Sequence, residues 1–161
     1  NKIGVWGTSA GGHLSAMIGL TSSSKELEGD VGNYEKENGS VACAVNAFGP
    51  SNFLTQFKKF EGTFEKSTRF KSFFNSDMEI VKITSPINHA DESCIPFFIY
   101  HGRNDKTVLI DESENLYSKT MWTLTICPLK AYSQSTIVDS ILISKCELTV
   151  CQLQCDRDKN V

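Results

Sequence analysis

Short apolar runs and longer polar or amphipathic stretches follow one another along the first 120 residues. Ile3-Gly4-Val5-Trp6 is the first run, and residues 2–6 are predicted as a strand. Small and apolar residues then fill roughly 10–20, which reads as a buried helix. Residues 21–40 carry Ser22-Ser23-Ser24, Gly29-Asp30 and Asn38-Gly39, the chemistry of a loop with room for one helical turn. Val41 to Phe48 is apolar on both faces, as a strand inside a parallel sheet is, and Gly49-Pro50 ends it. Pro96 to Gly102 is a third run of the same kind.

The segments between these runs have helical spacing. Residues 52–75 interleave Phe53, Phe57, Phe60, Phe64, Phe70, Phe73 and Phe74 with lysines, and read as an aromatic-rich helical insert over one end of the sheet. Residues 77–83 are predicted as a short helix capped by Ser76 or Asp77, with Met78, Val81 and Ile83 buried. Ser85-Pro86-Ile87 leads into a loop. Arg103-Asn104-Asp105-Lys106 makes a turn, and Asp111 to Lys119 an amphipathic helix with Leu116 inside. Strands alternating with helices point to a parallel sheet with right-handed crossovers. Past residue 120 the rhythm lapses. Residues 122–127 allow one more strand, and residues 121–161 contain no glycine and no clear helix signal. The expected division is therefore a hydrophobically patterned unit over 1–120 and a divergent tail over 121–161.

Composition narrows the classes. In 161 residues, 40% hydrophobic and 22% charged content is ordinary for a soluble domain with a real core. A net charge of −3 without a basic run argues against a nucleic-acid surface. No stretch approaches the roughly 18 apolar residues of a membrane span. Cys43 and Cys94 read as small core residues. Cys146, Cys151 and Cys155 lack both the tight cysteine pair and the neighbouring histidine of a zinc site, so no metal is expected.

One segment carries chemistry. Gly7-Thr8-Ser9-Ala10-Gly11 is a G-x-S-x-G pentapeptide between a strand and a helix start. In that setting the serine occupies a sharp turn, and glycine on both sides removes side chains that would collide. The Ser9 hydroxyl then stands exposed, with backbone N–H groups at the helix start facing any developing negative charge. The other reading is a glycine-rich turn that binds phosphate or nothing; it lacks the lysine of a P-loop.

Four ordered motifs carry a resemblance. Gly7 to Leu14, Phe48-Gly49-Pro50-Ser51-Asn52-Phe53, Ser85-Pro86-Ile87 and His101-Gly102-Arg103-Asn104-Asp105 together resemble the α/β-hydrolase esterases. The likeness is to the acetyl esterase and lipase-like group with its feruloyl and acetylxylan esterase domains, over roughly residues 2–120. It implies a partial α/β-hydrolase fold, α/β in class, with three to five mostly parallel strands and flanking helices. It also implies Ser9 as nucleophile, Asp105 as triad acid and the Ala10 N–H as one oxyanion donor. The implied activity is carboxylic ester hydrolysis through an acyl-enzyme, on a small-molecule ester and without a cofactor. A prolyl oligopeptidase-type peptidase or an arylformamidase shares the serine turn and the acid turn, and a non-catalytic hydrolase-like binding module would keep the pocket without its base.

The chain departs from the pattern at the base. In the family the order is serine, acid, histidine. Here His13, His89 and His101 all precede Asp105, and no histidine follows it. His13 is expected to pack at the helix start, His101 to end the strand before the acid turn, and His89 to lie in a loop. The expectation is an incomplete, inactive fragment that lacks the catalytic histidine and the upstream oxyanion loop, part of a longer product whose last forty residues are unrelated read-through or a shifted frame.

Overall fold

The computed structural model describes residues 3–29, 32, 37–61, 68–91, 94–120 and 123–129. Four strands form one parallel sheet in the order β1 (Gly4–Thr8), β2 (Cys43–Ala47), β3 (Phe97–Gly102) and β4 (Thr123–Leu129). Spatial order equals chain order, and all three pairings are parallel. Every turn that leaves the C-terminal end of a strand therefore opens on the same edge of the sheet, where open α/β sheets place their sites. The α/β class and the strand count agree with the sequence-based expectation. β4 continues the parallel sheet inside the stretch assigned to the tail. Residues 130–161, with Cys146, Cys151 and Cys155, lie outside the described residues.

Helix α1 (Ala10–Thr21) follows β1 and packs on β1 and β2, a single turn α2 (Lys25–Glu28) comes after it, and α6 (Ile110–Lys119) packs on β3. Between them lie Ala16, Ala44, Ile87, Phe97, Ile99 and Leu116, a contiguous buried core on one face of the sheet. α1 sits unusually close. A Cβ on Gly19 would lie 2.9 Å from both the Ala44 Cβ and the Phe97 ring, and one on Gly12 would lie 2.8 Å from the Ala47 carbonyl oxygen. Small residues thus set the helix-to-sheet distance, which fixes how high the start of α1 stands above the strand ends. The prediction of a buried helix is corrected on its outer stripe, where Leu14 and Ile18 are 59% and 44% exposed.

The insert forms α3 (Phe53–Glu61), α4 (Thr68–Phe74) and α5 (Met78–Ile83). Phe57, Phe74 and Val81 make a second core, joined by Phe53 and Leu54. Phe53 stacks on Phe57 at 5.8 Å between ring centroids. Asp77, rather than Ser76, caps α5 by accepting the Glu79 N–H at 2.8 Å. Only one of the three expected core positions of α5 is inside. Val81 is fully buried, whereas Met78 and Ile83 are 38% and 39% exposed. A helix of under two turns presents a single residue squarely to its neighbours, so the flanking positions turn toward solvent.

Candidate active site

The bend at Ser9 is built by the strand before it and the helix after it. The Ser9 N–H continues the ladder by donating to the Ala47 carbonyl at 2.9 Å, and its own carbonyl accepts from the His13 N–H at 3.0 Å. One residue must therefore belong to the strand on one side and the helix on the other. Ser9 does so at φ 52°, ψ −119°, a conformation that side-chain-bearing residues rarely adopt. Serine at a helix N-cap usually spends its hydroxyl on the first free N–H groups, but Ser9 makes no such bond. Ser9 and Ala10 are both exposed.

The two flanking glycines have different roles. A Cβ on Gly7 would sit 2.2 Å from the Gly11 carbonyl oxygen and 2.3 Å from its carbon, so the hairpin of strand and helix closes only over a bare Cα. A Cβ on Gly11 would meet nothing within 4 Å. The expectation that both glycines prevent collisions thus holds for Gly7 and is corrected for Gly11.

The turn that carries Asp105 lies two strands away. It follows β3 at the same edge, about 10 Å from β1 at the usual strand spacing. The Asp105 carboxylate is nearly buried, and Oδ1 accepts the Thr107 N–H at 2.8 Å and the Val108 N–H at 3.1 Å. Its own N–H donates to the Gly102 carbonyl at 3.1 Å. His101, with no exposed surface, locks this turn from below. Its Nε2–H donates to the Val108 carbonyl at 2.7 Å, which leaves Nδ1 to accept from the Ser113 hydroxyl, also at 2.7 Å. Burial holds the His101 pKa below its ordinary 6.5, against the pull of the Val108 carbonyl and the Asp105 and Glu112 charges. Both ring nitrogens are spent on structure.

The other histidines are also engaged. His13 donates from Nδ1 to the Pro50 carbonyl at 3.1 Å and packs on Phe53 with ring centroids 4.7 Å apart. Burial lowers its pKa as well. His89 donates from Nε2 to the Ile83 carbonyl at 2.6 Å, which closes a surface turn. The structure brings Ser9, Ala10 and Asp105 to one edge of the sheet; His101 comes within 3.8 Å of the Asp105 carboxylate through Nε2, with both ring nitrogens hydrogen-bonded to Val108 and Ser113.

Sequence reasoning missed Glu112. It is buried at the inner side of α6, where Oε2 accepts the Ser51 N–H at 3.0 Å and the Asn52 N–H at 2.6 Å. Oε1 accepts from the Thr55 hydroxyl, and the Ser51 hydroxyl donates to the Glu112 carbonyl at 2.6 Å. The signal was present: Glu112 stands one turn before Leu116, on the face the amphipathic pattern turns inward.

A parallel sheet with a serine at a strained strand-to-helix bend and a carboxylate in the turn two strands over defines an α/β-hydrolase. The comparisons agree, and residues 1–120 match the BD-FAE family model, so the chain belongs to the BD-FAE family. It is 28% identical over 119 residues to the probable carboxylic ester hydrolase LipM of Mycobacterium tuberculosis, covering 69% of this chain. It is 27% identical over 128 residues to Esterase LipC of the same organism, covering 74% of this chain. These alignments span only 26% and 30% of the relatives' own lengths. Among solved structures, a truncated carbohydrate esterase from gut microbiota superposes with a TM-score of 0.60 at 28% identity, over 81% of this chain and 51% of that one. Among the described residues no helix is long and apolar enough to cross a membrane.

Two outcomes follow from the site's construction. Gly7→Ala is expected to lower stability in urea unfolding by about 3 kcal/mol, the upper range for forced overpacking. Gly11→Ala is expected to be neutral or to stabilise by up to about 1 kcal/mol through helix propensity; equal losses at both positions would contradict the geometry. His13 and His101 both have depressed folded pKa values, so the unfolded chain binds more protons below pH 6.5. The urea midpoint is therefore expected to fall as the pH drops from 7.5 to 5.5, and a midpoint that rises over this window would contradict the burial of these rings.

Proposed function

We propose that this chain carries the nucleophile and acid arms of a serine carboxylic ester hydrolase that works through an acyl-enzyme. The observation that supports it most is Ser9 at a positive-φ bend, on the same sheet edge as the Asp105 turn. In this scheme the Ser9 hydroxyl attacks the acyl carbon and gives its proton to an imidazole held by Asp105. The Ala10 N–H, at the start of α1, donates to the oxyanion, where one such donor is worth roughly 3 kcal/mol of barrier. The alcohol leaves with the proton, and water then attacks the acyl-serine to release the acid. No step calls for a metal or cofactor. The substrate is a small ester, and likeness to the gut carbohydrate esterase favours an acylated sugar.

The base in this scheme is a histidine other than His13, His89 and His101: His101 has both ring nitrogens bonded within the fold, and His13 and His89 are each anchored to a backbone carbonyl. That same observation favours a second reading, a non-catalytic module that keeps the hydrolase pocket. We further infer that residues 1–120, whose sheet β4 extends, form the C-terminal portion of an α/β-hydrolase domain.

Two assays test this function. The purified chain is expected to hydrolyse p-nitrophenyl acetate no faster than its Ser9→Ala variant, because it lacks the base. A chimaera with residues 1–120 in place of the equivalent segment of the gut esterase regains one. It is expected to turn over the ester, losing on the order of 10⁶ in rate with Ser9→Ala and on the order of 10⁴ with Asp105→Asn. A folded chimaera that is inert, or indifferent to Ser9→Ala, would sink the hydrolase reading in favour of the binding module.

A further inference from the structure

α3 touches both arms of the site. On one side Phe53 packs on the ring of His13, one turn into α1 from Ser9, and the loop leading into α3 presents the Pro50 carbonyl to that ring. On the other side three rungs tie α3 to the acid turn and the helix after it. The Thr55 hydroxyl donates to Glu112 Oε1, the Gln56 side-chain amide donates to the Thr107 carbonyl at 2.7 Å, and Lys59 pairs with Asp111 at 2.5 Å. Two of these rungs are surface contacts of small worth. Lys59 and Asp111 are both well exposed, and an exposed ion pair is screened by solvent. The rung through Glu112 is different in kind. A buried carboxylate there accepts two backbone N–H groups and the Thr55 hydroxyl, and charge-assisted bonds of this sort are the strong ones.

The geometry points to Glu112 as a positioning residue: its carboxylate gathers the loop after β2 onto α6 and so holds the acid turn and the Ser9 bend at one separation. The path is continuous. From Asp105 it runs through Val108 and His101 to Ser113, the residue next to Glu112. From Glu112 it runs through Ser51 and Asn52 to Pro50, and from Pro50 to His13 and the first turn of α1. The β-sheet alone fixes strand ends and leaves the turns above them free to tilt. Among the described residues Glu112 is the buried charged group that joins the two turns above the sheet. It touches no reacting atom in this scheme, and its role rests on Ser9 and Asp105 being nucleophile and acid.

Amide hydrogen exchange of the full chain, read by NMR, tests this separately from catalysis. Glu112→Ala is expected to speed exchange of the Ser51 and Asn52 amides about tenfold or more, the equivalent of one lost charge-assisted bond. The Val108 amide in the acid turn and the His13 amide in α1 are expected to follow by a similar factor. The Ala44 amide, bonded to the Pro96 carbonyl in the sheet, serves as the reference and is expected to stay unchanged. Glu112→Gln is expected to restore Val108 and His13, because its carbonyl faces the two N–H groups while its amide donates to the Thr55 hydroxyl. Acceleration confined to Ser51 and Asn52, or equal acceleration at Ala44, would overturn the proposal. If Glu112→Ala does not fold, Thr55→Val removes one rung only, and an unchanged Val108 amide in that variant overturns it equally. An inert chimaera with exchange as expected defeats the hydrolase reading and leaves the Glu112 linkage standing; an active chimaera with unmoved Val108 and His13 amides does the reverse.

Discussion

Two backbone atoms of Gly11 lie where a side chain of Gly7 would have to be. The site depends on that close approach. It lets a strand bonded to β2 turn into a helix within one residue, and that residue, Ser9, absorbs the whole change of direction at φ 52°. Strain of this kind costs about 1–3 kcal/mol and persists only where the surroundings over-determine it. Here they do. The ladder bond to Ala47 fixes one side of Ser9, the helical bond from His13 fixes the other, and Gly12 and Gly19 seat α1 against the sheet. The hydroxyl is displayed as a consequence of packing.

Parallel topology supplies the second arm at no further structural cost. Strands ordered β1-β2-β3 put the turns after β1 and β3 on one edge with the loop after β2 between them. That middle loop is where the two sides are joined, through Pro50 to His13 and through Ser51 and Asn52 to Glu112. The acid turn is stiffened independently from beneath by His101 and Ser113. His13 and His101 thus brace the Ser9 bend and the Asp105 turn.

What the sequence showed and what it hid follow one physical line. Central strands such as residues 43–47 announce themselves by largely apolar runs, and the serine bend by glycine spacing between a strand and a helix. Both signals are local. Glu112 was hidden because its partners, Ser51, Asn52 and Thr55, are some sixty positions away, and an acidic residue on a helix reads as solvated until its neighbours are known. The outward turn of Met78 and Ile83 was hidden for a related reason, since which face of a short helix is inside depends on what it packs against. The different duties of Gly7 and Gly11 also needed coordinates, because identical residues at symmetric positions in a motif do not sit in symmetric surroundings.

The central claim is that Ser9 is held against its own backbone preference, and one pair of variants measures this by sign. At an ordinary position, replacing alanine by glycine lowers stability by about 0.5–1 kcal/mol. At Ser9 the order should invert, with Ser9→Gly more stable than Ser9→Ala by about 1 kcal/mol or more in urea unfolding, because glycine alone enters this conformation freely. If Ser9→Ala proves the more stable of the two, the bend is unstrained and the account of the site fails with it.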